Sequence, residues 1–310
     1  MEESLTLGKT TLRIPPMGMG TWQWGDRVFW GYGKTYADED LRAAFDASLA
    51  AGVNFFDTAE VYGQGRSEQL LAECLRTSPQ PVVVATKFFP FPWRLRRSSL
   101  RRALRGSLAR LGLEQVDLYQ VHWPFPPLPV ESWAEALADV VQEGLAKAVG
   151  VSNYNASQMR RAFAVLARRG VPLASNQVSY SLLDRAIEKN GLLALCRELG
   201  VTVLAYSPLA KGMLTGKYTP ENLPSGLRGR RYNAAWLARV QPLIRRMREI
   251  GAAHGGKQPA QVALNWLICK GAVPLAGIKN PQQAQDNAGA LGWRLTAEEV
   301  LTLDQLSDEL

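Results

Sequence analysis

The chain has 310 residues, 46% of them hydrophobic and 21% charged, which is ordinary for a soluble globular protein that buries a large core without disulfides. No apolar run approaches the ~20 residues that span a bilayer, and the acidic start is unlike a signal or transit peptide, so we expect a cytoplasmic protein without a membrane partner. The net charge of +8 comes from short basic clusters dispersed along helical-looking stretches, which favours solvated helix faces over a nucleic-acid partner.

Short β-type runs recur along the chain, and most are followed by a longer helical pattern. The first two runs, residues 5–7 and 11–14, predict a small hairpin. Eight further strands are predicted over residues 17–21, 53–57, 82–87, 116–122, 146–151, 173–178, 201–206 and 272–276. The helices between them are predicted over residues 38–51, 67–76, 98–111, 130–143, 156–169 and a stretch ending near 199, with Asp38 and Asn155 as N-caps.

This repetition predicts the fold. Several strands, such as residues 82–85, are continuously apolar, as expected for parallel strands covered on both faces. Residues 209–257 interrupt the pattern with a loop at 219–231 and an extra helix at 234–253, and another helix is predicted at 296–306. Because no shift in composition along the chain marks a domain boundary, we predict a single α/β domain over residues 1–310. It is a (β/α)8 TIM barrel with an N-terminal β-hairpin and extra helices after strand seven and at the C-terminus.

Polar residues stand at the ends of three consecutive predicted strands. Asp57 ends the second, Lys87 the third and His122 the fourth, and Tyr62 lies in the loop after Asp57. The carboxyl ends of parallel barrel strands form one rim, and neighbouring strands are only about 4.8 Å apart. We therefore expect these four side chains to lie together, although each alone has an ordinary structural explanation.

One acid, one amine, one phenol and one imidazole suit proton delivery to a carbonyl group. Tyr62 is the expected general acid, and a nearby Lys87 ammonium should lower its pKa from about 10 by roughly one to three units. Asp57 would hold Lys87, and a neutral His122 would orient the carbonyl oxygen. No convincing nucleophile or metal ligand accompanies them, so the electrons must come from a cofactor.

The segments around these residues resemble the aldo-keto reductase family over essentially the whole chain. The stretches that carry the resemblance are Phe56-Asp57-Thr58-Ala59-Glu60-Val61-Tyr62-Gly63, Val84-Ala85-Thr86-Lys87 and Asp117-Leu118-Tyr119-Gln120-Val121-His122-Trp123. The resemblance implies the barrel fold, carbonyl reduction and a nicotinamide cofactor. Within the family, Trp22-Gln23-Trp24-Gly25 is most similar to uncharacterised cyanobacterial and plastid-type members.

The same resemblance implies a cofactor site. Its nicotinamide end is implied at Gly20, Thr21, Asp57, Ser152, Asn153, Gln177 and Tyr206, its pyrophosphate loop at Ser207, Pro208, Leu209, Lys211 and Gly212, and its adenosine end at Gly277, Ile278, Lys279, Gln283, Asp286 and Asn287. Lys279 beside the ribose favours a 2′-phosphate, hence NADPH, although the arginine that many members carry near Gln283 is missing here. Trp22 and Trp123 are implied as substrate-pocket aromatics.

Other classes of function remain open at this point. A redox-sensing, NADP(H)-binding regulatory subunit with little turnover is the main alternative, and a nucleic-acid-binding protein would predict strongly salt-dependent binding. A metal-dependent hydrolase is disfavoured because the chain has only two histidines. Aliphatic, aromatic, pyridoxal-like and sugar-derived carbonyl compounds are all possible substrates.

Overall fold

The computed structural model describes residues 4–224 and 232–310, so part of the predicted loop at 219–231, with its arginine cluster, lies outside the described residues. The strands are β1 (Leu5–Thr6), β2 (Arg13–Ile14), β3 (Gly18–Gly20), β4 (Phe55–Asp57), β5 (Val83–Phe88), β6 (Val116–Val121), β7 (Ala146–Ser152), β8 (Leu173–Ser179), β9 (Thr202–Tyr206) and β10 (Ala272–Gly277). The described helices are α1 (Asp38–Ala50), α2 (Arg66–Arg76), α3 (Ser98–Leu111), α4 (Val130–Gln142), α5 (Ala156–Arg168), α6 (Ala186–Lys189), α7 (Leu192–Leu199), α8 (Ala234–Ala253), α9 (Pro259–Cys269), α10 (Pro281–Ala288) and α11 (Ala297–Asp308). Two 3-10 segments, Tyr62–Gly65 and Ala210–Thr215, lie in loops after β4 and β9.

Strands β3 to β10 form one closed barrel in which every neighbouring pair is parallel. Strands β1 and β2 form a separate antiparallel hairpin. The predicted (β/α)8 barrel, its N-terminal hairpin and its extra helices α8 and α11 are therefore confirmed. The register places Asp57 opposite Ala85 and Lys87 opposite Gln120, so the ends of β4, β5 and β6 are immediate neighbours.

The apolar residues form two main layers. The larger cluster lies between the sheet and the surrounding helices. A smaller cluster fills the barrel interior, and the hairpin residues Leu7 and Ile14 belong to it, with exposures of 0% and 1%. Gly8 packs so closely on the backbone of Ala174 that a Cβ there would lie 2.5 Å from its carbonyl oxygen. The hairpin thus closes the amino-terminal end of the barrel and leaves the opposite end for chemistry.

Local differences from the sequence-based expectations have physical explanations. Ala37, not Asp38, is the N-cap of α1, and its backbone N–H donates to the Asp40 carboxylate at 2.9 Å. The predicted cap Asn155 is confirmed, since its side chain accepts from the backbone N–H of Gln158 at 2.9 Å. Helices α9 and α10 were not predicted, although each begins with a proline that suits a first helical turn.

Within residues 4–224 and 232–310, no helix combines the length and the apolar character needed to cross a membrane.

Candidate active site

The ammonium group of Lys87 lies at the centre of the polar cluster. Its Nζ donates to Asp57 Oδ2 at 2.5 Å, to the carbonyl oxygen of Thr58 at 2.7 Å and to the hydroxyl oxygen of Tyr62 at 3.3 Å. These three contacts use all three donors of an ammonium group. Because Tyr62 accepts from Lys87, its own proton is directed elsewhere. The side chains of Lys87 and Asp57 are 0% and 5% exposed, so the pair is fully enclosed.

The environment moves the pKa values of these groups. Burial raises the pKa of Tyr62, and the charge of Lys87 and its hydrogen bond lower that pKa without cancelling the rise. The expectation that Lys87 brings the tyrosine below its ordinary pKa is therefore wrong for the protein as it stands here. Burial alone lowers the pKa of Lys87, but its interactions with the Asp57 carboxylate and the Tyr62 hydroxyl outweigh burial and raise the pKa overall. The lysine is therefore charged and the phenol protonated at neutral pH.

His122 lies between two aromatic rings just beyond β6. Its ring centroid is 5.7 Å from those of Tyr62 and Phe89, both edge-on, and its backbone N–H donates to the carbonyl of Phe88 at 2.8 Å. Burial, with a further contribution from the Lys87 charge, holds the pKa of His122 well below its usual range. Its Nδ1 is buried without a hydrogen-bond partner among the described residues. The imidazole is therefore neutral, with Nε2 the nitrogen available to the site.

Two buried amides bind the second oxygen of Asp57. Gln177 Nε2 donates to Asp57 Oδ1 at 2.9 Å, and Gln120 Nε2 lies 3.4 Å from the same oxygen. Gln120 also lies within 3.4 Å of the Ser175 hydroxyl. Gln120 was not assigned a role from the sequence. The sequence does offer a clue, since Gln120 places an amide at an inward position of β6. A buried amide is costly unless it has a hydrogen-bond partner.

The residues predicted for the nicotinamide end lie directly beside this cluster. Ser152 Oγ donates to the Gln177 carbonyl at 2.8 Å, and Asn153 Nδ2 donates to the His122 carbonyl at 3.1 Å. The Tyr206 hydroxyl donates to Asn153 Oδ1 at 2.9 Å. The carboxyl ends of β6, β7, β8 and β9 are thus joined in one hydrogen-bonded rim.

Gly20 and Thr21 extend this rim on the other side of the barrel. Gly20 pairs with Asp57 on β4 and with Gly277 on β10. The buried Thr21 hydroxyl donates to the Asp57 carbonyl at 3.1 Å and lies 2.8 Å from the Ser67 hydroxyl. Both residues therefore fix the backbone that carries Asp57.

Backbone strain concentrates in the segments predicted to hold a cofactor. Four of the five described non-glycine residues with positive φ lie there, namely Asn153, Ser207, Ala210 and Lys211. Pro208 is buried and Leu209 half-buried, and the Leu209 carbonyl accepts from the N–H of Gly212 at 2.9 Å. Such conformations cost of order 1–3 kcal/mol each and cluster at ligand sites.

The segment predicted for the adenosine end runs from the last residue of β10 through a short connection into α10. The backbone N–H of Lys279 donates to Gln283 Oε1 at 3.0 Å, and Asn287 Nδ2 lies 3.5 Å from the Gly277 carbonyl. The Asp286 carboxylate is exposed and accepts a hydrogen bond from a glutamine of the same helix. Three of the four polar residues therefore lie on α10, and Lys279 lies in the connection before it.

The aromatic-rich loop of residues 22–36 docks on this segment. The buried Trp24 donates from Nε1 to the Ile278 carbonyl at 3.1 Å. The Gln23 amide occupies the space that a side chain at Gly277 would need, since a Cβ there would lie 2.0 Å from Gln23 Nε2. The loop and the end of β10 therefore fit together as one surface.

The rings of this loop contact two predicted cofactor lysines. Lys279 Nζ lies 5.4 Å from the Trp30 ring centroid, and Lys211 Nζ lies 5.8 Å from that of Phe29. Trp22 stacks on Phe29 at 5.4 Å and meets Trp30 edge-on at 5.5 Å. Trp22, expected from the resemblance to line the substrate pocket, thus packs with rings on the cofactor side of the mouth.

Trp123 lies on the His122 side of the mouth. It stacks on Phe125 with ring centroids 5.2 Å apart, and Phe125 lies 6.0 Å from Phe89, which contacts His122. Trp22 and Trp123 therefore belong to different aromatic groups.

The second histidine lies elsewhere. His254 caps the end of α8, and its Nε2 lies 2.9 Å from both Glu299 carboxylate oxygens. A search of the described residues finds no group of three or more His, Cys, Asp or Glu side chains placed to hold a metal ion.

The donors at the mouth fit a phosphorylated nicotinamide dinucleotide. The amides of Asn153 and Gln177 match a carboxamide, and the half-buried ring of Tyr206 offers a stacking face. Lys211 and Lys279 supply the positive charge that phosphate groups require. The strained backbone around Ser207 lies between these two ends, where a pyrophosphate would pass.

The chain is similar to known proteins over nearly its whole length. The family model described as Aldo/keto reductase family matches residues 16–308. The chloroplastic pyridoxal reductase of Arabidopsis thaliana is 43% identical over 311 residues, covering 96% of this chain and 84% of that protein. Among solved structures, a glycerol dehydrogenase from Gluconobacter oxydans superposes with a TM-score of 0.86 at 28% identity, covering 98% and 95% of the two chains. An aldo-keto reductase from Klebsiella pneumoniae in complex with NADPH superposes with a TM-score of 0.78 at 28% identity, covering 99% and 95%.

Proposed function

The chain belongs to the aldo/keto reductase family, and we propose that it is an NADPH-dependent reductase that converts aldehydes or ketones to alcohols. The observation that carries this proposal is the hydrogen-bonded chain from Asp57 through Lys87 to Tyr62, with His122 edge-on to the phenol. We treat residues 1–310 as one domain, because a single closed sheet takes strands from Gly18–Gly20 to Ala272–Gly277.

In this proposal Tyr62 is the general acid. Bound NADPH supplies the hydride that the carbonyl carbon receives, and the Tyr62 hydroxyl gives its proton to the carbonyl oxygen. Burial raises the pKa of Tyr62, which keeps the proton on the phenol until reaction. Once the proton leaves, the Lys87 ammonium 3.3 Å away stabilises the phenolate. Asp57 keeps Lys87 charged and directed at the phenol oxygen.

His122 orients the substrate in this proposal. A neutral imidazole with its proton on Nε2 donates one hydrogen bond to the carbonyl oxygen without competing as an acid. The lowered pKa of His122 supports the neutral form. Its unpartnered Nδ1 supports the tautomer, because a nitrogen with no acceptor beside it does not favour carrying the proton.

The cofactor assignment rests on donor types and on the relatives. We propose that Ser152, Asn153 and Gln177 hold the carboxamide, Tyr206 stacks on the nicotinamide, and Lys279 binds a 2′-phosphate. The remaining proposed contacts are the other residues that the resemblance implies, including the loop from Ser207 to Gly212. The NADPH complex of the Klebsiella pneumoniae relative supports this choice.

Pyridoxal is the first substrate to test. The Arabidopsis thaliana relative, which is 43% identical to this chain, is a pyridoxal reductase. A pyridine ring bearing an aldehyde suits a mouth in which the rings of Tyr62 and Phe89 both lie edge-on to His122. Benzaldehyde, methylglyoxal and simple aliphatic aldehydes complete the panel.

The test is Tyr62→Phe, assayed by following the oxidation of NADPH during turnover. We expect turnover to fall by about 10²–10⁴-fold, the usual contribution of a general acid. NADPH affinity, followed by fluorescence titration, should change less than about twofold because the hydroxyl accepts its hydrogen bond from Lys87. Tyr119→Phe, on the outward face of β6, is the matched control.

Two outcomes would contradict the proposal. Unchanged turnover in Tyr62→Phe would remove the general acid. NADPH binding by the unaltered protein without turnover on any member of the panel would favour the NADP(H)-binding regulatory subunit instead.

A further inference from the structure

Five aromatic side chains form a wall on the His122 side of the mouth. The aromatic wall consists of Phe89, Phe91, Trp93, Trp123 and Phe125. Phe89 is its innermost member, with its ring centroid 5.7 Å from that of His122. Phe91 and Trp93 continue outward as a stacked pair 4.6 Å apart. None of the five belongs to the clusters that form the hydrophobic core of the described residues.

An ion pair fixes the loop that carries the first three rings. Arg94 Nη1 and Nη2 donate to the two carboxylate oxygens of Glu60 at 2.5 and 3.0 Å. The Glu60 carboxylate also accepts from the backbone N–H of Phe89 at 2.7 Å, and Arg94 donates to the Phe89 carbonyl at 2.8 Å. Both backbone groups of Phe89 are therefore bound by this one pair.

The same arginine also contacts a second ring of the loop. The Arg94 guanidinium lies over the rings of Phe88 and Phe91, at 4.7 and 5.2 Å from their centroids. A cavity of about 350 Å³ lies between the loop and α3, lined by Trp93 and Arg94 and by Gly106 and Arg110 of the helix. The pair therefore contacts the backbone of Phe89 and the ring of Phe91.

Glu60 also belongs to the segment that carries the proposed acid. It lies between Asp57 and Tyr62, and its backbone N–H is 3.4 Å from the Lys87 carbonyl. The side chains of Glu60 and Arg94 are 8% and 19% exposed, so their bidentate contact is shielded from solvent. One enclosed ion pair therefore joins the Tyr62 loop to the aromatic wall.

We propose that Glu60 and Arg94 are positioning residues that set Phe89 as the ring-binding face of the substrate cleft, which makes the enzyme selective for planar aromatic carbonyl compounds. This inference rests on the proposed reductase function. A planar ring whose carbonyl oxygen meets Tyr62 and His122 extends toward Phe89, where edge-to-face or offset contact is favourable. A small aliphatic aldehyde reaches the same polar groups without touching the wall.

The experiment compares benzaldehyde and butanal in the NADPH-loaded enzyme. For Arg94→Ala and for Glu60→Ala, kcat/KM for benzaldehyde should fall by about tenfold, the loss expected for one aromatic contact. The value for butanal should fall by less than about threefold, because that substrate does not use the wall. Arg94→Lys should be intermediate, since an ammonium cannot form two parallel hydrogen bonds. Phe89→Leu should reproduce the selectivity change.

Controls separate positioning from folding and from cofactor binding. Arg101→Ala removes an exposed ion pair between α3 and Glu143. It should leave both kcat/KM values unchanged. Thermal unfolding identifies any variant that does not fold. The second readout is calorimetric binding of benzoate, a planar compound that cannot be reduced, to the NADP⁺ complex. Its Kd should rise by about tenfold in Arg94→Ala and in Phe89→Leu.

The outcomes are distinct. An equal loss for benzaldehyde and butanal, or unchanged benzoate affinity, would overturn the positioning role. If the unaltered protein reduces neither aldehyde, the proposed function fails, and the benzoate measurement still decides the role of the wall. Weaker benzoate binding in Arg94→Ala then supports it, and unchanged binding refutes it.

Discussion

Removing Lys87 should destabilise the protein as well as inactivate it. Lys87→Met replaces the ammonium with an apolar side chain of similar length and leaves the Asp57 carboxylate enclosed without its cation. That carboxylate is 5% exposed, and its remaining partners are the amides of Gln177 and Gln120. An enclosed charge without a counter-ion is one of the few single changes that destabilise a protein severely.

The magnitude follows from the geometry. At 2.5 Å the attraction between Lys87 and Asp57 is about 7 kcal/mol at an effective dielectric constant of about 20. The desolvation of two ions offsets much of this, so the single substitution should cost about 3–5 kcal/mol. In Asp57→Asn combined with Lys87→Met, both charges of this enclosed pair are removed. The double variant should therefore be about 2–3 kcal/mol more stable than the sum of the single effects predicts.

Equilibrium urea unfolding of the four proteins in this cycle measures the coupling. Additive losses, with a coupling below about 0.5 kcal/mol, would refute the buried-pair argument. The three variants should all lack carbonyl reduction, because none of them retains a charged Lys87 held by Asp57. Restored turnover in the double variant would contradict the mechanism, whatever its stability.

Three further predictions concern other parts of the site. Lys279→Ala should weaken NADPH binding by about 10–100-fold and change NADH binding by less than about twofold, both measured by fluorescence titration. An equal loss of affinity for the two cofactors would contradict a 2′-phosphate contact. Because the folded-state pKa of His122 is lowered, the unfolded state alone binds its proton just below pH ~6.5. As pH falls, the free energy of unfolding of the unaltered protein should therefore decrease by up to about 1.4 kcal/mol per pH unit more than that of His122→Gln, measured by urea unfolding. Parallel plots of unfolding free energy against pH would contradict this. Gly150→Ala, whose Cβ would lie 2.2 Å from Ser175 Oγ, should cost about 1–3 kcal/mol, whereas Gly106→Ala should stabilise α3 by about 0.5–1 kcal/mol; the reverse order would refute the packing argument.

The positions of Asp57, Lys87 and His122 could be predicted because topology decides them. Asp57 ends β4, Lys87 is the last residue but one of β5, and His122 directly follows β6. Parallel strands that are neighbours in the chain are neighbours in the barrel. Tyr62 followed because a five-residue separation from Asp57 keeps it on the same rim. The eight strands could be predicted for a similar reason, since each covered strand is a short apolar run between turn residues.

The pKa of Tyr62 could not be predicted in the same way. The sequence shows a lysine near a tyrosine, and proximity of opposite charge lowers a phenol pKa. It does not show how completely the loop encloses the hydroxyl, and that enclosure is the largest effect on Tyr62. Desolvation depends on all surrounding atoms, so it becomes visible only once the chain is folded.

The contact between Glu60 and Arg94 could not be predicted from the sequence either. The two residues are 34 positions apart and lie in loops, where no period fixes which side chain faces which. Glu60 could be recognised as part of a motif, but its partner could not, because any of the seven arginines between positions 94 and 110 had the required charge. Distance and enclosure select Arg94 alone for the bidentate contact with Glu60. We therefore propose a division between these two parts of the barrel. Residues at the strand ends carry the reacting groups, and long-range loop contacts such as Glu60–Arg94 select the carbonyl compound that reaches them.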